Sequence, residues 1–219
     1  MSPYRERYRR DLHELKVDAQ KLEELVDTAI MKSVESLRDY DIEKAREVIR
    51  DDQVIDDLNL KIEKRCMELL ALQQPMAKDL RLIIAMLKIG IDLERIGDLA
   101  VDTARIVVHS KDTVHVKSLK NIPRMAEISR EMLVMAVKAF KENDADLARQ
   151  ATKLDYEIDA LYDKVRNTLL EIIGGNSDLI ESATPLLLVN KHLERIGDYV
   201  CNICESIIYM VDAKREHLN

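Results

Sequence analysis

The chain has 219 residues and a formal charge of −7, with 34% of its residues charged, a balance that repels phosphate backbones and argues against nucleic-acid binding as a main role. Five Gly, four Pro, one Phe and no Trp leave Leu, Ile, Ala and the charged residues to fill it, a palette for helix rather than strand. No apolar run approaches the ~20 residues of a membrane span, Met1 to Leu15 is too charged for a secretory signal, and three Cys, an odd number, read as reduced cytosolic thiols.

Six helices are expected, and they repeat. The first runs from about Pro3 to Leu37, with Leu15, Leu22, Val26, Ile30 and Val34 at helical spacing. Asp39-Tyr40-Asp41 is a turn, and Asp41 is placed to cap the second helix, which runs to about Leu72. Gln73-Gln74-Pro75 breaks it, and the third helix is expected from Pro75 to about Ser110. Lys111 to Pro123 reads as a linker. A fourth helix follows from Met125 to Lys141, and Asn143-Asp144 caps the fifth. Gly174-Gly175-Asn176 ends the fifth helix, and Ser177 or Asp178 caps the sixth, which reaches about Ala213. Short turns make neighbouring helices antiparallel. The expected fold is all-α: two repeated three-helix bundles, residues 1–113 and 114–219, or one six-helix domain with pseudo-twofold symmetry.

The repeat is written into the sequence. Leu93-Glu94-Arg95-Ile96-Gly97-Asp98 returns unchanged as Leu193-Glu194-Arg195-Ile196-Gly197-Asp198, 100 positions later. Each copy keeps a Glu and an Asp four apart, side by side on a helix, where like charges destabilise by ~0.2–0.5 kcal/mol. A cation on that face is the first explanation. On a helical wheel Glu94 and Asp98 share an arc with Leu80, Ile83, Leu87, Ile91 and Val101, at one margin of a broad apolar face. Arg81, Lys88, Asp92 and Arg95 form the polar strip. His192, the counterpart of Asp92, reads as a surface residue.

The second helix supplies a matching pair. Asp52 and Asp56 are four apart, and Asp155 and Asp159 are their equivalents at an offset of 103. Asp56 lies about 18 residues before the turn near Gln74 and Glu94 about 18 after it, so an antiparallel pair rising ~1.5 Å per residue brings both to one height. Asp159 and Glu194 match in the same way. Each half thus offers four carboxylates: Asp52, Asp56, Glu94 and Asp98 in the first, Asp155, Asp159, Glu194 and Asp198 in the second. Four carboxylates together need protons, metal ions or neighbouring arginines, with Arg95 and Arg195 the nearest in sequence. All-oxygen ligation suits Mg²⁺, Ca²⁺, Mn²⁺ or iron and does not suit a structural zinc site. Gly97 and Gly197 each cost a helix ~1 kcal/mol relative to Ala, which close approach of a helix or of a ligand would explain. Cys201-Asn202-Ile203-Cys204 is a CxxC in mid-helix and reads as core thiols rather than a redox or zinc site.

At these residues the sequence resembles the PhoU family of phosphate-uptake regulators. The resemblance rests on both LERIGD segments, on Asp52-Gln53-Val54-Ile55-Asp56 and Asp155-Tyr156-Glu157-Ile158-Asp159, on Asp79-Leu80-Arg81 and on Asn202-Ile203-Cys204-Glu205, and it covers nearly the whole chain. It implies two three-helix bundles with multinuclear clusters of iron or zinc on the acidic pairs, magnesium being the third candidate from the donor set. It also implies a cytoplasmic protein, often a homodimer and without catalytic activity. The implied partners are the phosphate-specific ABC transporter and the sensor histidine kinase of the phosphate regulon, both restrained when phosphate is plentiful. Two departures stand out: Tyr199 replaces a His after the second motif, and Asp102 stands where Asn202 stands in the second half. The residues also admit a divalent-metal-dependent all-α phosphohydrolase, against which no nucleophile or general base stands out, and a metal-free helical adaptor.

Overall fold

The computed structural model of the chain describes residues 3–110 and 120–218, with side chains from Glu6 onward. The first helix, α1, spans Pro3–Asp39. Tyr40 turns left-handed at φ 53°, and Asp41 caps α2, Ile42–Gln73, by accepting from the Lys44 amide at 3.0 Å. The third helix, α3, spans Lys78–His109. It begins three residues later than Pro75 predicts. Gln74 at φ 45° and Ala77 at φ 49° are both left-handed, so Pro75 lies in the turn and cannot start a helix there. Of the expected linker from Lys111 to Pro123, residues 111–119, with the division between 113 and 114, lie outside the described residues, and Asn121 to Pro123 are already helical.

In the second half α4 spans Asn121–Glu142. Its start takes in Pro123, whose missing amide hydrogen has no partner to lose in the first turn. Asp144 caps the next helix through the Leu147 amide at 2.9 Å. The single fifth helix expected from the sequence is two: α5, Ala145–Thr152, and α6, Asp155–Gly175. The Thr152 hydroxyl donates to the Arg149 carbonyl at 3.0 Å, the acceptor that the Lys153 amide would use in an α-helix. The Lys153 and Leu154 amides close tighter turns on Gln150 and Ala151 instead. Asn176, rather than Ser177 or Asp178, provides the next cap. Its side chain accepts from the Asp178 amide at 3.0 Å and opens a 3-10 turn, Ser177–Leu179, that leads into α7, Ile180–Asp212.

The helices α1, α2 and α3 pack as one bundle, and α4, α5 with α6, and α7 as the other. The bundles are joined along their length, because α3 packs against α7 and α1 against α4. Buried Leu22, Ile30, Ile62 and Ile96 belong to one continuous core with Met125, Val165, Leu186 and Ile196. Described residues contain no strand. All three cysteines are buried and unpaired, and burial pushes the Cys66 and Cys204 thiols up to about 12. They are inert core groups, as expected.

Joining the halves corrects the reading of the polar strips. The strip on α3 borders α7: Arg81 and Asp92 are drawn in against it, while Lys88 and Arg95 stay exposed. Arg81 donates through Nε to the Met210 carbonyl at 3.2 Å, and Asp92 is buried at 8% exposure. His192 is half-buried rather than a surface residue. Its Nδ1 lies 3.2 Å from the Thr103 hydroxyl, which itself donates to the Leu99 carbonyl, so Nδ1 is the donor. Burial holds the His192 imidazole below its ordinary value. Ile91, placed on the apolar arc from the wheel, is instead exposed.

Candidate metal centre

Each half brings its four predicted carboxylates into one neighbourhood. In the first half Asp52 and Asp56 come from α2, and Glu94 and Asp98 from α3. Burial pushes the Asp52 carboxyl up to about 6, and the charges of Asp56 and Asp98 add to it. Burial likewise raises Glu94, with Asp98, Asp56 and Asp52 adding. It raises Asp98 too, with Asp56 and Asp102 adding. In the second half α6 supplies Asp155 and Asp159, and α7 supplies Glu194 and Asp198. Asp155 is pushed up to about 6 by burial, then by Asp159 and Asp198. Asp159 is raised by burial and by Glu194.

The sites are open on one side. Asp56, Asp98 and Asp159 are exposed, while Asp52, Glu94, Glu194 and Asp198 are half-buried. Asp155 is the innermost, 5% exposed, and its Oδ1 atom is buried without a hydrogen-bond partner. An orphaned carboxylate oxygen of this kind needs a proton or a cation. Among the described residues no three Asp, Glu, His or Cys side chains converge closely enough to hold a metal ion as they stand. The carboxylates are near enough to raise one another through their charges.

The repeated glycine positions these acids. A Cβ on Gly197 would collide with Asp155 Oδ1 and meet Ile158 Cδ1 at 3.1 Å, and one on Gly97 would meet Ile55 Cδ1 and Cγ2 at 3.3 Å. The absent side chain therefore does two things at once: it lets the neighbouring helix close, and it leaves room for that helix's carboxylate.

The neutralising cations include Arg95, whose charge lowers Glu94, together with others further away in sequence. Arg95 and Arg195 both lie over the Tyr199 ring, 5.7 and 5.6 Å from its centroid, and Arg195 Nη2 donates to the Tyr199 hydroxyl at 2.8 Å. Tyr199, in place of a His, thus ties the two motif arginines together across the seam. In the second cluster Lys191 pairs with Glu194. In the first, Arg105 lowers Asp52 and Asp98 while holding Asp102 at 2.9 Å. The Lys191–Glu194 pair carries a sequence signal, three residues apart on one helix face, that the duplication alone does not reveal, since its counterpart is Ile91.

Fold and site together define an all-helical protein of two joined three-helix bundles with one acidic cluster in each. The chain belongs to the PhoU family: residues 19–107 and 122–207 each match the PhoU domain. It is 36% identical over 210 residues to the phosphate-specific transport system accessory protein PhoU homolog of Clostridium acetobutylicum, covering 95% of this chain and 96% of that one. It is also 36% identical to PhoU homolog 1 of Thermotoga maritima, over 94% of this chain and 90% of the relative. The crystal structure of PhoU from Pseudomonas aeruginosa superimposes with a TM-score of 0.86 at 30% identity, over 94% of this chain and all of that one. The phosphate transport system regulatory protein PhoU from Streptococcus pneumoniae also gives 0.86, at 32% identity, over 96% and 99% of the two chains. No helix among the described residues is long and apolar enough to cross a membrane.

Proposed function

We propose that the chain is a cytoplasmic accessory regulator of phosphate-specific transport, acting through metal ions held at its two carboxylate clusters. The observation that carries this reading is the duplicated set of four acids, glycine-positioned in both copies, in a fold matched to PhoU proteins along nearly its whole length. Asp52, Asp56, Glu94 and Asp98 would hold ions in the first bundle, and Asp155, Asp159, Glu194 and Asp198 in the second. The orphaned Asp155 oxygen fits that role, and the all-oxygen donors suit magnesium or iron better than zinc. Bound metal supplies positive charge, which removes the repulsion between α2 and α3 and between α6 and α7. The surface of each cluster changes sign with it, which gives partners a metal-dependent face. Those partners are the phosphate-specific ABC transporter and the sensor histidine kinase of the phosphate regulon, and the protein restrains both as a homodimer. The role is regulatory rather than catalytic, in keeping with relatives named as accessory proteins.

Elemental analysis of the purified protein tests the sites. Iron, magnesium or zinc is expected in more than one equivalent per chain, falling by about half when Asp56→Ala and Asp98→Ala disable one of two equivalent clusters. Equal metal content in the two proteins removes the site assignment. Co-purification of the transporter and the kinase from phosphate-replete cells tests the partners.

A further inference from the structure

Beside the last turns of α7, the seam between α3 and α7 opens into a polar cavity of about 380 Å³. Lys88, Asp92 and Arg95 line its α3 side, Ser206 its α7 side, and Arg215 the stretch of chain that follows α7. That stretch is tied down. The Leu218 amide donates to Glu205 Oε1 at 2.8 Å, and Arg149 grips Glu216 at 3.0 and 2.7 Å. The two glutamates bordering the cavity are therefore already engaged. Asp92 is not. It is nearly buried, and it makes no hydrogen bond or ion pair among the described residues.

The duplication shows that the fold does not require this polarity. On the other side of the pseudo-twofold the equivalent cleft carries Leu188 for Lys88 and Ile106 for Ser206. There the counterpart of Asp92, His192, has Thr103 to bond with. The counterpart of Thr103 is Ile203, which offers Asp92 nothing. One copy of the seam is thus a wider cleft, with Ile106, Pro185 and Leu188 in its lining beside polar residues of the 3-10 turn and the start of α7. The other keeps a nearly buried carboxylate in a cavity that Lys88, Arg95 and Arg215 also line.

A ligand for this cavity must donate a hydrogen bond to a carboxylate while presenting anionic oxygens to Lys88, Arg95 and Arg215. A tetrahedral oxyanion that keeps a proton does both. Inorganic phosphate retains a P–OH at neutral pH. Sulfate and the dianion of a phosphate ester have none, and either would set a bare oxygen against Asp92, a mismatch that buried polar sites reject strongly. We propose that the α3/α7 cavity binds inorganic phosphate, with Lys88, Arg95 and Arg215 engaging its oxygens and Asp92 accepting the hydrogen bond from its P–OH. The site goes beyond the regulatory reading above. It lies on the α7 side of α3, whereas Glu94 and Asp98 face α2, and it needs no metal.

Isothermal titration of full-length protein stripped of metal by chelation tests this. Inorganic phosphate is expected to bind saturably, one per chain, with sulfate and glycerol phosphate weaker by about tenfold or more. Asp92→Asn, whose amide can donate to a bare oxygen, is expected to abolish the preference over sulfate. Lys88→Ala and Arg215→Ala change exposed positions that the fold tolerates, and each is expected to weaken phosphate about tenfold. These two carry the test should Asp92→Asn fail to give a native circular dichroism spectrum. Absence of phosphate binding to the metal-free protein, equal affinity for sulfate or glycerol phosphate, or unchanged affinity in both cation variants overturns the proposal.

Discussion

Asp52 and Asp155 occupy equivalent positions one helix away from the repeated motif, and both carboxyls are pushed up to about 6. Their common cause is burial, with the neighbouring acids second. A carboxyl raised in the folded state stabilises it below the ordinary carboxylate value and loses that contribution as pH rises through the folded value. The metal-free protein is therefore expected to lose stability between about pH 4 and about pH 7 from these groups. Glu23, pushed up to about 7 by burial beside Asp27 and Glu24, adds to the same trend. Thermal melts of chelated protein across this range check it. A melting temperature that climbs steadily with pH would show that these acids are not strained in the folded chain. The identities of the eight carboxylates were readable from spacing alone. Their partners were legible only in part: Arg95 acts on Glu94 as its place in the motif suggests, but Lys191 and Arg105 also act on the acids.

At the scale of helices, end signals were legible at the two aspartate caps. Asp41 and Asp144 cap as their positions predict. The break between α5 and α6 was hidden, since neither Gly nor Pro marks it; the Thr152 hydroxyl bonds the Arg149 carbonyl there. That break sets Asp155 at the first position of α6, in contrast to Asp52 inside α2. The helix pairs close over glycine, which leads to an ordering. Ala for Gly gains about 1 kcal/mol of helix propensity. At Gly90 the added methyl meets chiefly the end of the Asn59 side chain, which can swing away, so Gly90→Ala is expected to be neutral or mildly stabilising. At Gly197 it meets the buried Asp155 carboxylate and Ile158 together. Overpacking of that kind costs about 1–3 kcal/mol, so Gly197→Ala is expected to lose stability on balance and to weaken metal retention. Urea unfolding of both variants decides this, and the reverse order would mean that α6 can back away freely.

For the whole molecule the decisive contacts are those between repeats. The pairs α3 with α7 and α1 with α4 place both bundles on one continuous hydrophobic core. Such a chain is expected to unfold in one cooperative transition, with calorimetric and van't Hoff enthalpies in agreement. Two resolved transitions, each matching a half cut near residue 113, would show that the bundles are independent domains. The joined arrangement also explains why α3 and α7 carry buried polar groups. Each helix meets a neighbouring bundle on the face that a lone three-helix bundle would leave in water.

Periodicity, turn residues and the doubled LERIGD motif determined the helical class, the duplication and the carboxylates that share a level in each half. Those properties depend on neighbours along one helix or across one short turn, where rise per residue alone sets the geometry. The docking of the two repeats was decided only in three dimensions. It turned the polar strip of α3 into a seam, buried Asp92 without a partner and gave His192 a hydrogen bond to Thr103. The halves are packed by contacts about 100 residues apart. No local pattern records which face of a helix another bundle will cover.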